Sequence, residues 1–322
     1  MARKDSRVGL SGLALAMAAG AVILAVQADT PSALAAEAAA PAPPLIQSAE
    51  VLPAVSVASP SPAGDSYSSG MDAFRAGRYV EARAALSAAV RSGQLSKAQE
   101  DQAVGALNKL SHMILGTTIT PDDPFVLVVT VKPGDSLWSI CRKAGTAVPL
   151  DVIRRINRLD DDRSLRPGQM LKVPLGRFEA VVTKHRFTLD IYLRRPGVAP
   201  VFVNRVPVGL GRDDGTPEGS FRVAAKATHA TWYPPASMAK EGKTKPVKWG
   251  RKGYPLGKEG YFIALSGVDP ATRGRRGYGI HGTNAQWSVG AAHSHGCIRL
   301  KDADIESVFG LLATGSSVHI RH

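Results

Sequence analysis

The chain from Arg177 onward contains short stretches in which apolar and polar side chains alternate. Two of them, F-E-A-V-V-T-K and F-T-L-D-I-Y-L, fall between Arg177 and Leu193. A period of two is typical of a strand with one buried face. Further strands are predicted at 201–208, 220–224, 261–265 and 317–320, with a helix at 302–309. Many short strands with little helix predict a mostly-β domain over 177–322, a β-sandwich or open barrel.

One cysteine of this region lies among residues that suit nucleophilic chemistry. Cys297 follows Ser294-His295-Gly296, and His281 lies 16 residues upstream in a His-Gly-Thr triplet. A thiol is a good nucleophile only as thiolate, which an adjacent imidazole and local positive charge favour. Arg299 would share the face of Cys297 in an extended strand. We therefore expect the pKa of the Cys297 thiol to lie below the free value of about 8.5.

Gly296 allows a tight turn and a close approach of the backbone to a substrate. The backbone N–H groups of Gly296 and Cys297 could then point at one developing oxyanion.

The pattern H-G-T followed by S-H-G-C-I-R-L, from His281 to Leu300, resembles the bacterial L,D-transpeptidases. Their YkuD-type catalytic domain remodels peptidoglycan. The segment T-P-E-G-S-F, which begins at Thr216, resembles a second motif of the same domain. The resemblance implies that Cys297 is the nucleophile and His281 the general base, with the backbone carbonyl of Gly282 orienting the imidazole. It also places at the site His295, Gly296, Ser294 and Arg299.

The resemblance implies a reaction as well. The thiolate attacks the carbonyl at the L-centre of a diamino acid in a tetrapeptide stem, and the terminal D-alanine leaves. An amine of a neighbouring stem resolves the thioester into a 3→3 cross-link, and no nucleotide, cofactor or metal is required. Water in place of the amine would make the protein an L,D-carboxypeptidase, and the sequence leaves both outcomes open.

A segment rich in lysine, 234–256, has no periodicity and contains several Gly and Pro residues. We predict a mobile loop over the active-site cleft. Its cations are Lys240, Lys243, Lys245, Lys248, Arg251 and Lys252. Aromatic side chains in and beside it could grip substrate or merely pin the loop. The predicted substrate-binding residues are Trp232, Tyr233, Trp249, Tyr254, Tyr278 and Thr283.

Residues 126–175 read as strand, helix, helix and strand. The segment opens with V-V-T-V-K-P-G-D-S-L-W-S-I from Val128 and closes with L-R-P-G-Q-M-L-K-V-P at Pro174. This pattern is similar to a LysM module, which binds glycans containing N-acetylglucosamine. The resemblance implies glycan contacts at 134–137 and 157–160, with Asp135 as a possible helix cap.

The start of the chain is typical of an export signal. Arg3, Lys4 and Arg7 precede 19 residues without a charge, at 8–26. Residues 1–35 are predicted to be a signal peptide or a signal anchor, which would be the sole membrane contact. The protein is then exported to the periplasm or cell wall. Residues 36–66 are rich in Ala, Pro and Ser and predict a disordered linker.

Residues 67–116 are predicted to form a small helical hairpin. Gly77-Arg78 breaks the first helix, Ser92-Gly93 ends the second, and a third starts near Ser96. The piece A-F-R-A-G-R-Y-V-E-A-R resembles one tetratricopeptide-type unit, whereas about three units are needed for a stable stack. A packing or spacer role is therefore favoured.

The net charge of the region from Arg177 onward indicates which class of binding partner suits the protein. From Arg177 onward, 22 Lys and Arg stand against 11 Asp and Glu, a net charge of +11. This suits an anionic partner such as peptidoglycan with its acidic stem peptides. No nucleic-acid-binding motif with interleaved aromatics is present, so nucleic acid is not expected.

Two rival interpretations remain. His281, His293, His295 and Cys297 could offer metal ligands, although a second closing pair is missing. A non-catalytic wall-binding protein would need only the LysM module, but the intact His281 and Cys297 pair argues against it. A disulfide with Cys141 would consume the nucleophile, so Cys141 is expected to pack as a small hydrophobe.

Overall fold

The computed structural model describes residues 63–235, 238, 242 and 244–322. The predicted export signal, nearly all of the predicted linker, and Lys240 and Lys243 lie outside the described residues. Among the described helices, none is long and apolar enough to cross a membrane.

Four helices form the first module: α1 (Ala63–Arg75), α2 (Tyr79–Ser92), α3 (Lys97–Leu110) and the short α4 (His112–Leu115). The predicted breaks are confirmed. Gly93 ends α2 with a positive φ of 71°, and Ser96 caps α3 through a reciprocal capping box with Gln99. The helical part begins at Ala63, a few residues before the predicted start, and α3 extends the hairpin of α1 and α2.

The second module has the predicted βααβ order. Its elements are β1 (Val126–Thr130), α5 (Leu137–Lys143), α6 (Leu150–Ile156) and β2 (Met170–Pro174). β1 and β2 pair antiparallel, with Val128 opposite Lys172. The cap of α5 is Ser136, through a capping box with Ser139. Asp135 instead accepts hydrogen bonds from the Lys132 N–H and from Lys143.

The third module is a curled, mostly-β domain, as expected. Its strands are β3 (Arg177–Thr183), β4 (Thr188–Arg195), β5 (Val198–Pro207), β6 (Leu210–Gly211), β7 (Gly219–Ala227), β8 (Phe262–Gly267), β9 (Gly279–Gly282), β10 (Ala292–Ser294), β11 (Ile298–Leu300) and β12 (Ser317–Arg321). Helix α7 (Asp302–Leu311) precedes β12. Eight strands form one sheet in the order β11-β9-β8-β7-β12-β3-β4-β5, and β6 pairs with β10.

Backbone hydrogen bonds bring the two ends of this sheet together. Gly209, just after the edge strand β5, exchanges two hydrogen bonds of 2.8 Å with Arg299 in the opposite edge strand β11. A Cβ at Gly209 would lie 2.4 Å from the carbonyl oxygen of Ser288, so only glycine fits this approach. The curl therefore joins β5 to the strand that follows Cys297.

The helical module packs on the outer face of the same sheet. Leu86 of α2 and Leu107 of α3 share one buried cluster with Val181, Tyr192 and Phe202 of β3, β4 and β5. A side-chain period of two puts the last two on one sheet face, because β4 and β5 pair with Tyr192 opposite Phe202. The single tetratricopeptide-like unit thus buries its apolar face against the β domain, in place of further repeats.

Buried polar contacts tie the helical module and the segment that follows it to the βααβ module. The Arg83 guanidinium of α2 binds the Asp123 carboxylate through two hydrogen bonds of 2.8 and 2.6 Å. The Lys172 ammonium of β2 donates to the carbonyl oxygens of Gly116 and Thr118 at 2.8 and 2.6 Å, beyond the end of α4. Burial lowers the pKa of Lys172 to about 8. Breaking either contact would leave a buried charge without its partner.

Candidate active site

The cysteine and histidine of the motif meet where β11 pairs in parallel with β9. Arg299 lies opposite His281, and Ile298 lies opposite Ile280. Cys297 comes directly before β11 and so lies beside Gly279 at the start of β9. Because side chains alternate along extended backbone, Cys297, Arg299 and His281 project on one face of the sheet.

The imidazole of His281 is oriented by its own strand. Its Nδ1 lies 2.6 Å from the carbonyl oxygen of Gly282. A carbonyl only accepts, so Nδ1 carries the proton and Nε2 has a free lone pair. Burial lowers the pKa of His281 to about 4; the Gly282 carbonyl opposes this shift, and the charge of Arg299 adds to it. The ring also stacks on Phe262, with centroids 6.0 Å apart. The imidazole is therefore neutral across the physiological range.

The thiol of Cys297 is half-buried and donates a hydrogen bond to the Gly277 carbonyl oxygen, at 3.5 Å. Burial raises its pKa, and this outweighs the opposing effects of the Gly279 N–H and the Arg299 guanidinium. The expectation of a lowered thiol pKa is therefore wrong for this arrangement. Thiol and imidazole face the same cleft as a neutral pair, because desolvation disfavours both charged forms.

The turn before Cys297 is held by Ser294. Its buried hydroxyl donates to the Cys297 carbonyl oxygen at 2.6 Å and accepts from the Gly296 N–H at 3.0 Å. Gly296 has a φ of 133°, and a Cβ there would lie 2.8 Å from both the Gly215 carbonyl oxygen and the Tyr278 ring. The Gly296 N–H is thus engaged within the turn. The N–H groups of Gly296 and Cys297 were both expected to face an oxyanion. The Gly296 N–H is excluded from that role because it donates to Ser294.

Thr216 is a site residue that the sequence reasoning treated only as part of a motif. Its buried hydroxyl donates to the Gly296 carbonyl oxygen at 3.0 Å and accepts from the Gly211 N–H at 2.8 Å. The Gly296–Cys297 peptide is planar, so a fixed Gly296 carbonyl also fixes the direction of the Cys297 N–H. The threonine of T-P-E-G-S-F was the available signal, because its hydroxyl can reach a backbone group.

Two further motif residues have polar neighbours. The Nε2 of His295 lies 3.0 Å from Arg212, and a guanidinium only donates, so Nε2 accepts. The Arg299 guanidinium donates to the Ser288 hydroxyl at 3.4 Å, and burial lowers its pKa. In the part of the chain that the structure describes, Arg299 has no carboxylate partner.

Two of the six predicted substrate-binding side chains are buried. Tyr254 is 7% exposed and its hydroxyl donates to the Ala230 carbonyl oxygen. Burial raises the pKa of Tyr254 to about 12. Thr283 is 3% exposed and accepts from the Ala285 N–H at 3.1 Å within a turn. Both placements are at odds with substrate contact and give these side chains a structural role.

Aromatic residues of the lysine-rich segment also pin its backbone. The Trp249 indole N–H donates to the Lys258 carbonyl oxygen at 2.9 Å, and the ring stacks on His229 with centroids 3.7 Å apart. Trp232 exchanges two backbone hydrogen bonds of 2.9 Å with Val247. For these residues, pinning the loop is the interpretation that the contacts support.

Tyr233 and Tyr278 keep surface for a ligand. Tyr233 is 52% exposed. Tyr278 is half-buried, and its ring lies beside Gly296 at the active-site turn.

The four residues of the rival metal site have separate neighbours. His293 packs edge-on against Trp287, with ring centroids 5.0 Å apart. Within residues 63–322, leaving aside the undescribed positions, no three His, Cys, Asp or Glu side chains are grouped so that they could hold a metal ion.

Two parts of the chain match models of known protein families. Residues 179–320 match the model of the YkuD family, the L,D-transpeptidase catalytic domain. Over these residues the chain is similar to an L,D-transpeptidase catalytic domain. Residues 129–174 match the LysM domain model. The resemblance drawn from the motifs is confirmed for both domains.

The curated relatives carry the same family name. The probable L,D-transpeptidase YcfS of Escherichia coli is 28% identical, and the match covers 60% of each chain. The putative L,D-transpeptidase YqjB of Bacillus subtilis is 34% identical over 34% of this chain and 53% of its own. The chain thus spans 53–60% of these two relatives.

A shorter relative is matched over almost its whole length. The putative L,D-transpeptidase YkuD of Bacillus licheniformis is 25% identical, over 61% of this chain and 99% of its own. Among solved structures, an L,D-transpeptidase from Mycobacterium smegmatis has 17% identity and covers 48% of this chain and 64% of that chain. Its TM-score is 0.33, so this likeness adds nothing to the family assignment.

Proposed function

We propose that this protein is a peptidoglycan L,D-transpeptidase that forms 3→3 cross-links through a thioester on Cys297. The hydrogen bond from His281 Nδ1 to the Gly282 carbonyl carries the proposal. It leaves Nε2 as a base on the sheet face that also carries the thiol.

Acylation starts from the neutral pair. As Sγ attacks the carbonyl carbon at the L-centre, the thiol proton passes to Nε2 of His281. The carbon–nitrogen bond to the terminal D-alanine breaks, and the imidazolium returns the proton to the leaving amine. A side-chain amine of a second stem attacks the thioester, gives up one proton through His281 to sulfur, and forms the cross-link.

The residues around the nucleophile support this chemistry without taking part in it. The Cys297 N–H, held in direction through Thr216, is the remaining backbone donor of the predicted pair for the oxyanion. Arg299 lies near enough to favour negative charge on sulfur during attack. Both effects lower the barrier for a thiol that is neutral at rest.

The LysM module would place the enzyme on glycan strands. Two loops are assigned to glycan contact, and in one of them, 157–160, the Asn157 side chain is already engaged by hydrogen bonds within the module. The side-chain amide of Asn157 donates to the Ile153 and Lys172 carbonyl oxygens, and its oxygen accepts from the Lys172 N–H, all at 2.8 Å. Glycan contacts there would come from 158–160. Export to the periplasm or cell wall by residues 1–35, with or without an anchor, belongs to the same proposal.

Mass spectrometry of products from a disaccharide-tetrapeptide tests the function. Dimers that have lost one D-alanine per bond mean transfer. Tripeptide with free D-alanine, even with excess acceptor amine, would make the protein an L,D-carboxypeptidase. Cys297→Ala should give neither product, whereas Cys141→Ala should give the wild-type product at close to the wild-type rate. A folded wild-type protein that forms no acyl-enzyme would instead be a wall-binding protein.

A further inference from the structure

The loop between β8 and β9 carries three arginines next to the nucleophile. Arg273, Arg275 and Arg276 are all exposed. The residue that follows, Gly277, accepts the hydrogen bond from the Cys297 thiol at 3.5 Å. The backbone of Arg276 is therefore one residue from a direct contact with the reacting sulfur.

This loop is held in shape by its acidic residue. The Asp269 carboxylate accepts from the Ser220 N–H at 2.5 Å and from the Thr272 N–H at 2.9 Å. The fully buried Thr272 also donates through its hydroxyl to the Ser220 carbonyl oxygen at 2.7 Å. These bonds tie the loop to the start of β7. Asp269 thus stabilises the conformation of the loop and does not pair with the arginine side chains of the loop.

The arginine side chains keep their donors for a ligand. The exposed Arg275 donates one hydrogen bond, from Nε to the Ala271 carbonyl oxygen at 3.1 Å, and within the described residues its two terminal nitrogens have no hydrogen-bond partner. Across the described residues, none of the three guanidiniums pairs with a carboxylate. A guanidinium presents a flat pair of N–H donors that matches a carboxylate. Three such groups in one loop, without a carboxylate partner among the described residues, suit a carboxylate from outside the protein.

We propose that Arg273, Arg275 and Arg276 form a binding site for the carboxylates of the acidic stem peptide beside Cys297. The inference rests on the proposed function for the identity of the ligand. It assigns carboxylate recognition to the rigid β8–β9 loop and not to the lysine-rich segment 234–256.

Steady-state kinetics tests the ligand. Arg275→Gln/Arg276→Gln should raise KM for the disaccharide-tetrapeptide about fivefold, with kcat changed less than twofold. The same substrate with its carboxylates amidated should show no difference between wild type and variant. A KM that rises equally for both substrates, or does not rise, would overturn the proposal.

Alkylation of Cys297 tests the site without using peptidoglycan. In a Cys141→Ala background, rates with anionic iodoacetate and neutral iodoacetamide are compared, because their ratio cancels any change in thiol pKa. The double arginine variant should lower the ratio about fourfold at low salt, from about twofold for each of the two charges removed. The control Lys109→Gln/Arg155→Gln removes the same charge from exposed positions in the other modules and should leave the ratio unchanged.

The alkylation ratio also separates this inference from the proposed function. A wild type that turns over no stem peptide but shows the expected ratios would refute the function and keep the anion site. An unchanged ratio in the arginine variant, or a drop found only with Lys248→Gln/Lys252→Gln, would refute the site while turnover still proves the enzyme.

Discussion

His281 has its pKa lowered to about 4 because the fold removes its ring from water. In the unfolded chain the same imidazole takes up a proton near pH 6.5. Above that pH both states are neutral and the group adds no pH dependence. As the pH falls from about 6.5 to 4 the unfolded state binds more protons, so stability is lost over that window.

Replacing His281 by phenylalanine should remove this loss. Between pH 7 and 4.5 the wild type should lose about 2–3 kcal/mol more unfolding free energy than His281→Phe. Urea unfolding of both proteins at the two pH values measures the difference, and all other titrating groups cancel. Equal losses would show that His281 titrates normally in the folded protein.

The Thr216 hydroxyl bridges two segments of the active-site turn, and Thr216→Val tests its role. Valine keeps the shape but leaves the Gly296 carbonyl and the Gly211 N–H without their partner. We expect about 1–3 kcal/mol of destabilisation and a fall in kcat greater than the change in KM, because the Cys297 N–H loses its orientation. Pro217→Ala, one residue away, should cost less in kcat. A fall in stability with kcat unchanged would make Thr216 purely structural.

At the scale of elements, the lysine-rich segment is held to the β domain by hydrogen bonds that aromatic side chains donate to backbone carbonyls. Tyr254 and Tyr233 provide a matched pair, since the first is 7% and the second 52% exposed. Tyr254→Phe removes a buried hydrogen bond worth about 1 kcal/mol. Trypsin cleavage at Lys248 or Arg251 should then be about fivefold faster, because cleavage follows the open population.

Tyr233→Phe should leave the trypsin rate at the wild-type value. Equal rates in both variants would mean that the Tyr254 hydroxyl does not hold this segment.

At the scale of the whole molecule, one Arg–Asp pair is buried and another is exposed. Arg83 and Asp123 have side chains 1% and 0% exposed, whereas Arg75 and Asp72 are 66% and 70% exposed. Arg83→Met leaves a buried carboxylate unpaired and should cost about 3–5 kcal/mol. Arg75→Met should cost at most about 1 kcal/mol.

Calorimetry of these variants also reports how the modules unfold. One buried cluster joins Phe125 and Leu137 of the βααβ part to Phe178 and Val318 of the β domain. We therefore expect a single transition that shifts as a whole in Arg83→Met. A separate early transition confined to the helices would contradict a shared core.

Local sequence patterns predict much of the architecture. Alternating residues predict β3 and β4, and Gly93 and Ser96 mark helix ends through their own backbone and side-chain preferences. The motif around Cys297 and His281 predicts the reacting pair. The apolar stripe of the helical module predicts that this face is buried. The stripe alone does not identify the surface against which it packs.

The sequence by itself predicted a candidate nucleophile and base, the modules and most of their elements, because residue type, spacing and turn chemistry act over a few neighbours. Tertiary structure alone decided that the pair is neutral, since desolvation depends on everything packed around it. It also decided that Gly209 closes the curl, that Thr216 fixes the direction of the Cys297 peptide, and that Asp269 binds the backbone of its own loop. Each of these rests on contacts between residues far apart in the chain, whose geometry no local pattern contains.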